Sequence, residues 1–265
     1  MKVTIAQLPR LFPERSTPVQ AIQANEFSCY YKLDKTYITA LDRVSFCVDS
    51  GELLTVVGES GSGKTTLLRS MLGLTDYTDG ELLIAGEPVD SIDVSDNNMA
   101  YVRQDIVLYP HMTVYENLAF PLRMMHTPQD ELDRRVKEIA DLLEIRWLLT
   151  RKPKQLSGGQ QQRIALGRAL IKKPQFIFMD EPFANVDPTM REQLRLLVRK
   201  IHQMESATMV FVTHDLDEAF SLGDKILVLS QGKVEAFGTP EELRKCRNSE
   251  LLNVHFGRSF GGYLQ

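Results

Sequence analysis

The sequence predicts an α/β protein built on a mainly parallel sheet with helices on both faces. Three observations carry this. The runs LLTVV (Leu53 to Val57), FIFM (Phe176 to Met179) and TMVFVT (Thr208 to Thr213) are apolar throughout, without the alternation of a strand wetted on one side. Helical patterns separate them, as in a sheet of crossover connections. Each run also ends in residues with chemistry to offer, and ligands in such sheets bind at the carboxyl ends of strands.

In chain order, residues 1–24, with Pro9, Pro13 and Pro18, are expected to form an irregular leader. FSCYY and VSFCV then have the composition of strands, the second closed by the turn residues Asp49, Ser50 and Gly51. LLTVV and ELLIAG follow as strands. Thr127-Pro128-Gln129-Asp130 has the pattern of a capping box with proline at the first helical position. Behind it Leu132, Val136, Ile139 and Leu143 recur on one helical face. A second helix is predicted to start near Gly159 and to stop before Pro174. A third opens at Asp187-Pro188, with Leu194, Leu197, Ile201 and Met204 inward. KILVLS and KVEAF are strands joined by a turn at Gln231-Gly232, and Thr239-Pro240-Glu241-Glu242 is another capping box.

Composition narrows the function classes. A net charge of −4 over 265 residues argues against nucleic acid as a partner, which selects clustered Lys and Arg. Three scattered cysteines, Cys29, Cys47 and Cys246, make neither a disulfide framework nor a zinc site and suit a reducing compartment. The first residues lack the apolar run of about 7 to 15 residues of a signal peptide. No stretch approaches the roughly 18 apolar residues of a membrane span. A soluble chain is expected, with any membrane role exercised through a partner.

GESGSGKT fits the phosphate-loop pattern G-x-x-x-x-G-K-[ST], between an apolar strand and the helical TTLLRSML. Gly58, Gly61 and Gly63 let the backbone turn so that successive N–H groups face one anion. The whole stretch Gly58, Glu59, Ser60, Gly61, Ser62, Gly63, Lys64, Thr65 and Thr66 is the candidate phosphate-binding element. Lys64 suits the β/γ-phosphates and the Thr65 hydroxyl suits Mg²⁺. Asp180 leaves FIFM as a second candidate Mg²⁺ ligand, and Glu181 is placed to orient and deprotonate a water. Alone, such a carboxylate pair is an ordinary acidic turn; beside a phosphate loop it gains a role. His214, at the end of TMVFVT, comes within reach of a γ-phosphate by the same strand-end argument. Gln104, after MAYV, has an amide suited to Mg²⁺ or water, and equally to plain solvent exposure.

LSGGQ (Leu156 to Gln160) is a second glycine-rich helix start, although one nucleotide occupies only one such cradle. With phosphate loop, LSGGQ, FIFMDE and His214 in this order, the sequence resembles the ATP-binding cassette ATPases from about Phe27 to Leu243. The resemblance implies a P-loop NTPase, RecA-like core (residues 25–103 and 159–240) carrying a small antiparallel β subdomain. It implies an inserted α-helical subdomain over 104–158, ending in the signature, and leaves 241–265 as a C-terminal tail. It also implies two subunits facing head to tail. Leu156, Ser157, Gly158, Gly159 and Gln160 of each then close over the ATP held by the other, the Ser157 hydroxyl and the Gly158 and Gly159 N–H groups aimed at its γ-phosphate. By the same resemblance Gln104 matches the Q-loop, Asp187 the D-loop, His214 the switch histidine and Glu181 the catalytic carboxylate, with ATP and Mg²⁺ as cofactors. Tyr31 matches the adenine-stacking aromatic, with Tyr30 or Tyr37 as alternatives. YVRQ departs from the family in having Arg103 where aromatic residues are common, and ANVD departs from more frequent small variants.

The resemblance implies an ATP-hydrolysing transport subunit, cytoplasmic and peripheral on the inner face of the cell membrane. Its partners are a second ATPase subunit, transmembrane permease subunits and an extracellular substrate-binding protein. DIVLYPHMTVYENLAFPLRM is similar to importer ATPases, especially sugar-type ones, and import is expected over export. Against the sugar type, such importers carry a further domain after the cassette, whereas here residues 242–265 follow. The Tyr31 spacing is similar to the lipoprotein-release and macrolide-efflux group. A soluble ATPase of the iron–sulfur assembly type is the main rival. A phosphate-loop kinase or GTPase is disfavoured, since no N-K-x-D guanine motif occurs and LSGGQ would have no purpose. Of the apolar groups Tyr109, Met112, Val114 and Leu118, most are expected in the core of the lobe rather than in a docking groove.

Overall fold

The computed structural model describes residues 20–255 except 34–35, 76, 78, 93–97, 185, 205–206 and 247. Two sheets organise them. Strands β3 (Leu53–Val57), β6 (Met99–Val102), β7 (Phe176–Asp180), β8 (Thr208–Thr213), β9 (Lys225–Ser230) and β10 (Lys233–Gly238) form one sheet in the order β10-β9-β3-β8-β7-β6. Its pairings are parallel apart from the β9–β10 hairpin. Every residue of β3, β7 and β8 is buried, which is why these segments are apolar without alternation.

The second sheet is antiparallel, β2-β1-β4-β5, from β1 (Gln20–Leu33), β2 (Thr36–Asp49), β4 (Asp79–Ile84) and β5 (Glu87–Pro88). β1 begins inside the segment expected to be an irregular leader up to residue 24. Its first residues pair with the end of β2, Gln20 with Asp49 and Ile22 with Val48, and Ile22 is fully buried. Backbone pairing and burial override the proline-rich composition just upstream. Residues 1–19 of that leader, and 256–265 of the C-terminal tail, lie outside the described residues.

The parallel sheet separates two apolar clusters. Phe176 and Phe178 of β7, with Val210 and Val212 of β8, pack toward the antiparallel sheet and helix α1 (Lys64–Met71). Their neighbours Ile177, Met179, Met209 and Phe211 point the opposite way, as the period of two requires. That second cluster runs on into α2 (Val114–Met124), α3 (Gln129–Leu142), α4 (Gly158–Leu170) and α5 (Pro188–Met204). In α3, Leu132, Val136 and Ile139 are buried, and so is Leu143 just after it; in α5, Leu194, Leu197 and Ile201 are buried and Met204 is half-buried. A Cβ at Gly167 of α4 would stand 2.7 Å from side-chain atoms of both Leu118 and Leu143, so the packing of the helical lobe continues past residue 158 into α4. Val114 and Leu118 are wholly buried in this lobe, while Tyr109 and Met112 are half-buried at its surface. A short helix α6 (Leu216–Leu222) follows β8, and α7 (Pro240–Lys245) and α8 (Glu250–His255) close the described chain. Among the described residues no helix is long and apolar enough to cross a membrane.

The helix starts that the sequence leads one to expect are found with one exception. Thr239 and Glu242 form the expected capping box on α7. The box expected at Thr127 does not form: α3 begins at Gln129 with Pro128 as its cap and no side-chain bond. Thr127 instead donates its N–H to Leu122 O, ending α2, while the Gln129 amide bonds Asp133 at 2.9 Å. A capping box not anticipated lies upstream, where Glu116 accepts the Thr113 N–H at 2.7 Å and returns its own N–H to the Thr113 hydroxyl at 3.2 Å. These bonds to the Thr113 backbone, then to its hydroxyl, hold the Glu116 carboxyl below its ordinary range. A depressed carboxyl contributes stability above its unfolded value and loses it as pH falls through the folded one. The destabilisation caused by Glu116→Ala, measured in urea melts, is therefore expected to be largest at neutral pH and to fade below pH 4.5, the ordinary value.

Candidate active site

The site is assembled by strand register. Val57 of β3 pairs with Thr213 of β8, and Asp180 of β7 pairs with Val212. The three strands therefore end at one level, and Gly58, Glu181 and His214 leave the sheet side by side.

After Val57 the chain turns through Gly58–Gly63 into α1. The loop is cramped enough to require glycine. A Cβ at Gly58 would stand 2.1 Å from Leu229 O and 2.7 Å from Ser62 Oγ. Gly63 has φ of 104° and would place a Cβ 2.5 Å from Ala40 O. Gly63 caps α1 with no side-chain bond to the first-turn N–H groups, so the positive end of the helix faces the loop uncapped. Glu59, Ser60 and Gly61 are exposed, whereas the Ser62 hydroxyl is buried without a partner. Lys64 lies 5% exposed inside the loop, its Nζ donating to Gly58 O at 2.9 Å and Glu59 O at 2.8 Å. Burial pulls the ammonium down from its ordinary value, and the nearby Glu181 and Asp180 carboxylates oppose this. The loop is thus a ring of backbone dipoles around one buried cation, a receptor for anionic oxygens.

Asp180 closes the pocket from β7. It accepts the Thr65 hydroxyl at 3.2 Å and the Tyr101 hydroxyl at 3.3 Å. Burial raises its carboxyl, and these two hydrogen bonds work against the shift. Burial, and secondarily the Asp180 charge, push the Tyr101 phenol up to about 12, so it stays a donor. Gln104 is exposed and shares with Thr65, Tyr101 and Asp180 a cavity of 340 Å³ that Arg69 and Arg103 also line. Thr65 and Asp180 bring two hard oxygens together. No group of three or more His, Cys, Asp or Glu side chains able to hold a metal occurs among the described residues. One carboxylate plus one hydroxyl fits Mg²⁺, which keeps waters and phosphate oxygens rather than a full protein cage.

Glu181 follows with φ of 41°, a left-handed conformation rare for its type. Its N–H is bonded to Val212 O at 3.0 Å, and its carboxylate meets His214 Nδ1 at 3.2 Å. The antiparallel sheet reaches the same region: the Tyr31 hydroxyl donates to Thr66 Oγ1 at 3.4 Å. Tyr31 pairs with Ile38, whereas Tyr30 pairs with Thr39 and Tyr37 with Lys32, so Tyr30 and Tyr37 share the opposite face.

The residues Leu156–Gln160 are not brought to this pocket. Ser157 caps α4, its hydroxyl accepting the Gln160 N–H at 3.3 Å while the Gln160 amide oxygen accepts the Ser157 N–H at 3.1 Å. Ser157 and Gly158 are exposed; Leu156 and Gly159 are buried, and a Cβ at Gly159 would meet Met190 Cγ of α5 at 2.1 Å. Among the described residues this helix start shares neither a hydrogen bond with Lys64 nor the 340 Å³ cavity. Asp187 caps α5 by accepting the Met190 N–H at 3.0 Å. Asn185 of ANVD lies outside the described residues. Sequence reasoning missed Tyr101; the signal was a tyrosine on an otherwise apolar strand, one residue from its exit.

Residues 41–184 match the family model described as ABC transporter. The chain is 47% identical to the sn-glycerol-3-phosphate import ATP-binding protein UgpC of Ruegeria pomeroyi, over 77% of this chain and 58% of that protein. It is 43% identical to the trehalose/maltose import ATP-binding protein MalK of Thermococcus litoralis, over 78% of this chain and 57% of that protein. The chain thus spans less than two thirds of the length of these relatives. Among solved structures, the dimeric post-hydrolysis state of the ATP-binding cassette MJ0796 bound to ADP and Pi superposes with a TM-score of 0.73. That match has 31% identity and covers 83% of this chain and 98% of the other.

Gly63→Ala is expected to lower stability by about 2 kcal/mol in urea melts, since it combines a left-handed backbone with a backbone clash. Ala40, on the strand it strikes, cannot retreat as a flexible side chain would.

Proposed function

Because this chain belongs to the ABC transporter family, we propose that it is the ATP-binding and ATP-hydrolysing subunit of an importer, driving a separate membrane permease by closing as a dimer. The observation that supports the reading is the shared level at which β3, β8 and β7 end, with Lys64, Asp180, Glu181 and His214 at or just beyond that end of the sheet and Ser157 apart from them. The import names of UgpC and MalK favour import over export and over iron–sulfur cluster assembly. Association with the membrane face then comes through the permease, with a substrate-binding protein outside.

ATP binding exchanges partners at Lys64. Its ammonium leaves Gly58 O and Glu59 O for the β- and γ-phosphates, while the loop and first-turn N–H groups supply further donors. Tyr31 stacks on adenine from the sheet above α1. Thr65 and Asp180, with Gln104 nearby, would hold Mg²⁺, which would supply positive charge to neutralise the phosphates. Glu181 takes the proton of the attacking water as its oxygen bonds to the γ-phosphorus and the bond to the β-phosphate oxygen breaks, releasing ADP and phosphate. His214 Nδ1 restrains the Glu181 carboxylate, and its ring is the group assigned to meet the γ-phosphate. The partner's signature helix completes the pocket. The Ser157 oxygen is occupied as an acceptor, but its hydrogen remains free to donate to a phosphate oxygen. Closure is favoured because each ATP gains contacts that the separated subunits do not make.

Glu181→Gln is expected to retain ATP binding, to lose at least about a hundredfold in turnover, and to run as a dimer in ATP by size-exclusion chromatography. Near-normal turnover would remove Glu181 from its role. Ser157→Arg is expected to leave ATP affinity of the single subunit unchanged and to abolish that dimer; loss of binding by the isolated subunit would overturn the cross-interface assignment.

A further inference from the structure

Behind the pocket lies a buried carboxylate that the mechanism above does not use. Glu218 sits on α6, 4% exposed, four residues beyond His214. One oxygen accepts the Thr213 hydroxyl at 2.6 Å; the other lies 3.8 Å from Arg191 Nε on α5. Arg191 in turn donates from Nη2 to Val186 O at 3.5 Å, and its Nε is buried with no hydrogen-bond partner. Thr213 also accepts the N–H of Asp215 at 3.0 Å, fixing the turn that presents His214. A chain of polar contacts thus runs from the residue before His214, through one buried carboxylate, to the residue before Asp187. Burying a carboxylate is unfavourable unless it is paired, and one left with a loose ion pair is a device sensitive to small movements of either partner.

We propose that Glu218 is a positioning residue that ties the loop carrying His214 to the loop carrying Asp187, so that a movement at Asp187 resets His214 against Glu181. The proposal rests on the ATPase reading above and assigns Glu218 no contact with nucleotide. Burial, aided by the Asp215 charge, pushes the Glu218 carboxyl above its ordinary range, and Thr213, Arg191 and His214 draw it back only in part.

The full chain tests this through steady-state kinetics, ATP affinity and melting temperature. Glu218→Gln keeps the shape and an acceptor for Thr213 but removes the charge facing Arg191. It is expected to lower kcat at least about fivefold with KM for ATP within about twofold and the melting temperature essentially unchanged. Arg191→Met, on a partly exposed side chain, should reproduce the loss, and Arg191→Lys should restore much of it. The double variant should be no worse than either single one. In a His214→Ala background neither substitution should lower the residual rate further. Additive losses, losses that persist without His214, losses matched by a fall in melting temperature, or wild-type kcat overturn the proposal while leaving the ATPase reading intact. A His214→Ala variant hydrolysing ATP at the full rate would remove His214 from its role and overturn the proposal; absence of ATP hydrolysis by the unaltered chain would instead overturn the ATPase reading.

Discussion

Parallel pairing of β3, β8 and β7 in a single register is the constraint on which the rest depends. Main-chain hydrogen bonds fix Val57 against Thr213 and Val212 against Asp180, so the three strands cannot end at different heights without breaking the ladder. A slip of one residue would also exchange the two faces of β7, sending Ile177 and Met179 into the cluster that now holds Phe176 and Phe178. Both faces are apolar and differently shaped, so the sheet interior guards the geometry of the pocket. The candidate site groups themselves need no strong mutual attraction to be gathered.

Charge at the pocket is arranged by the same logic of enforced proximity. Lys64 is buried among carbonyl dipoles, and Asp180 is buried against two hydroxyl donors. Each is shifted against its charged form by burial. On the function proposed above, a polyanion with its metal would supply opposite charge to both, replacing many small compensations with a few strong ones. The second glycine-rich helix start lies apart from them, its own N-terminus tidied by a capping box. One chain therefore contains a deep cradle and an exposed helix start that do not meet within it; on the function proposed above, a second subunit would supply the missing contact.

Much of this was legible from local chemistry. FIFM and TMVFVT announce buried strands because no polar residue interrupts them, and a carboxylate or histidine directly after such a run must lie at a strand end. What local chemistry does not contain is partner choice. Tyr30, Tyr31 and Tyr37 are equivalent as sequence; only the β1–β2 register puts Tyr31 on the face that reaches Thr66. Thr127 and Thr113 are both threonines three residues before an acidic residue. The first is drawn into the end of α2 and the second caps a helix, a competition settled by where the preceding helix stops. Tyr101 and Glu218 escaped notice because their importance lies in groups 79 residues and five residues away that folding alone brings within reach.

Glu181 carries one further implication. A left-handed backbone at a glutamate costs roughly 1 to 3 kcal/mol relative to a relaxed one, and asparagine or glycine would occupy the same turn more comfortably. Selection for endurance to heat, with no demand for work done, would therefore pull this position away from glutamate. On the function proposed above, the need for a proton acceptor at that spot would hold the residue in place, so durability and productivity would compete at a single peptide unit.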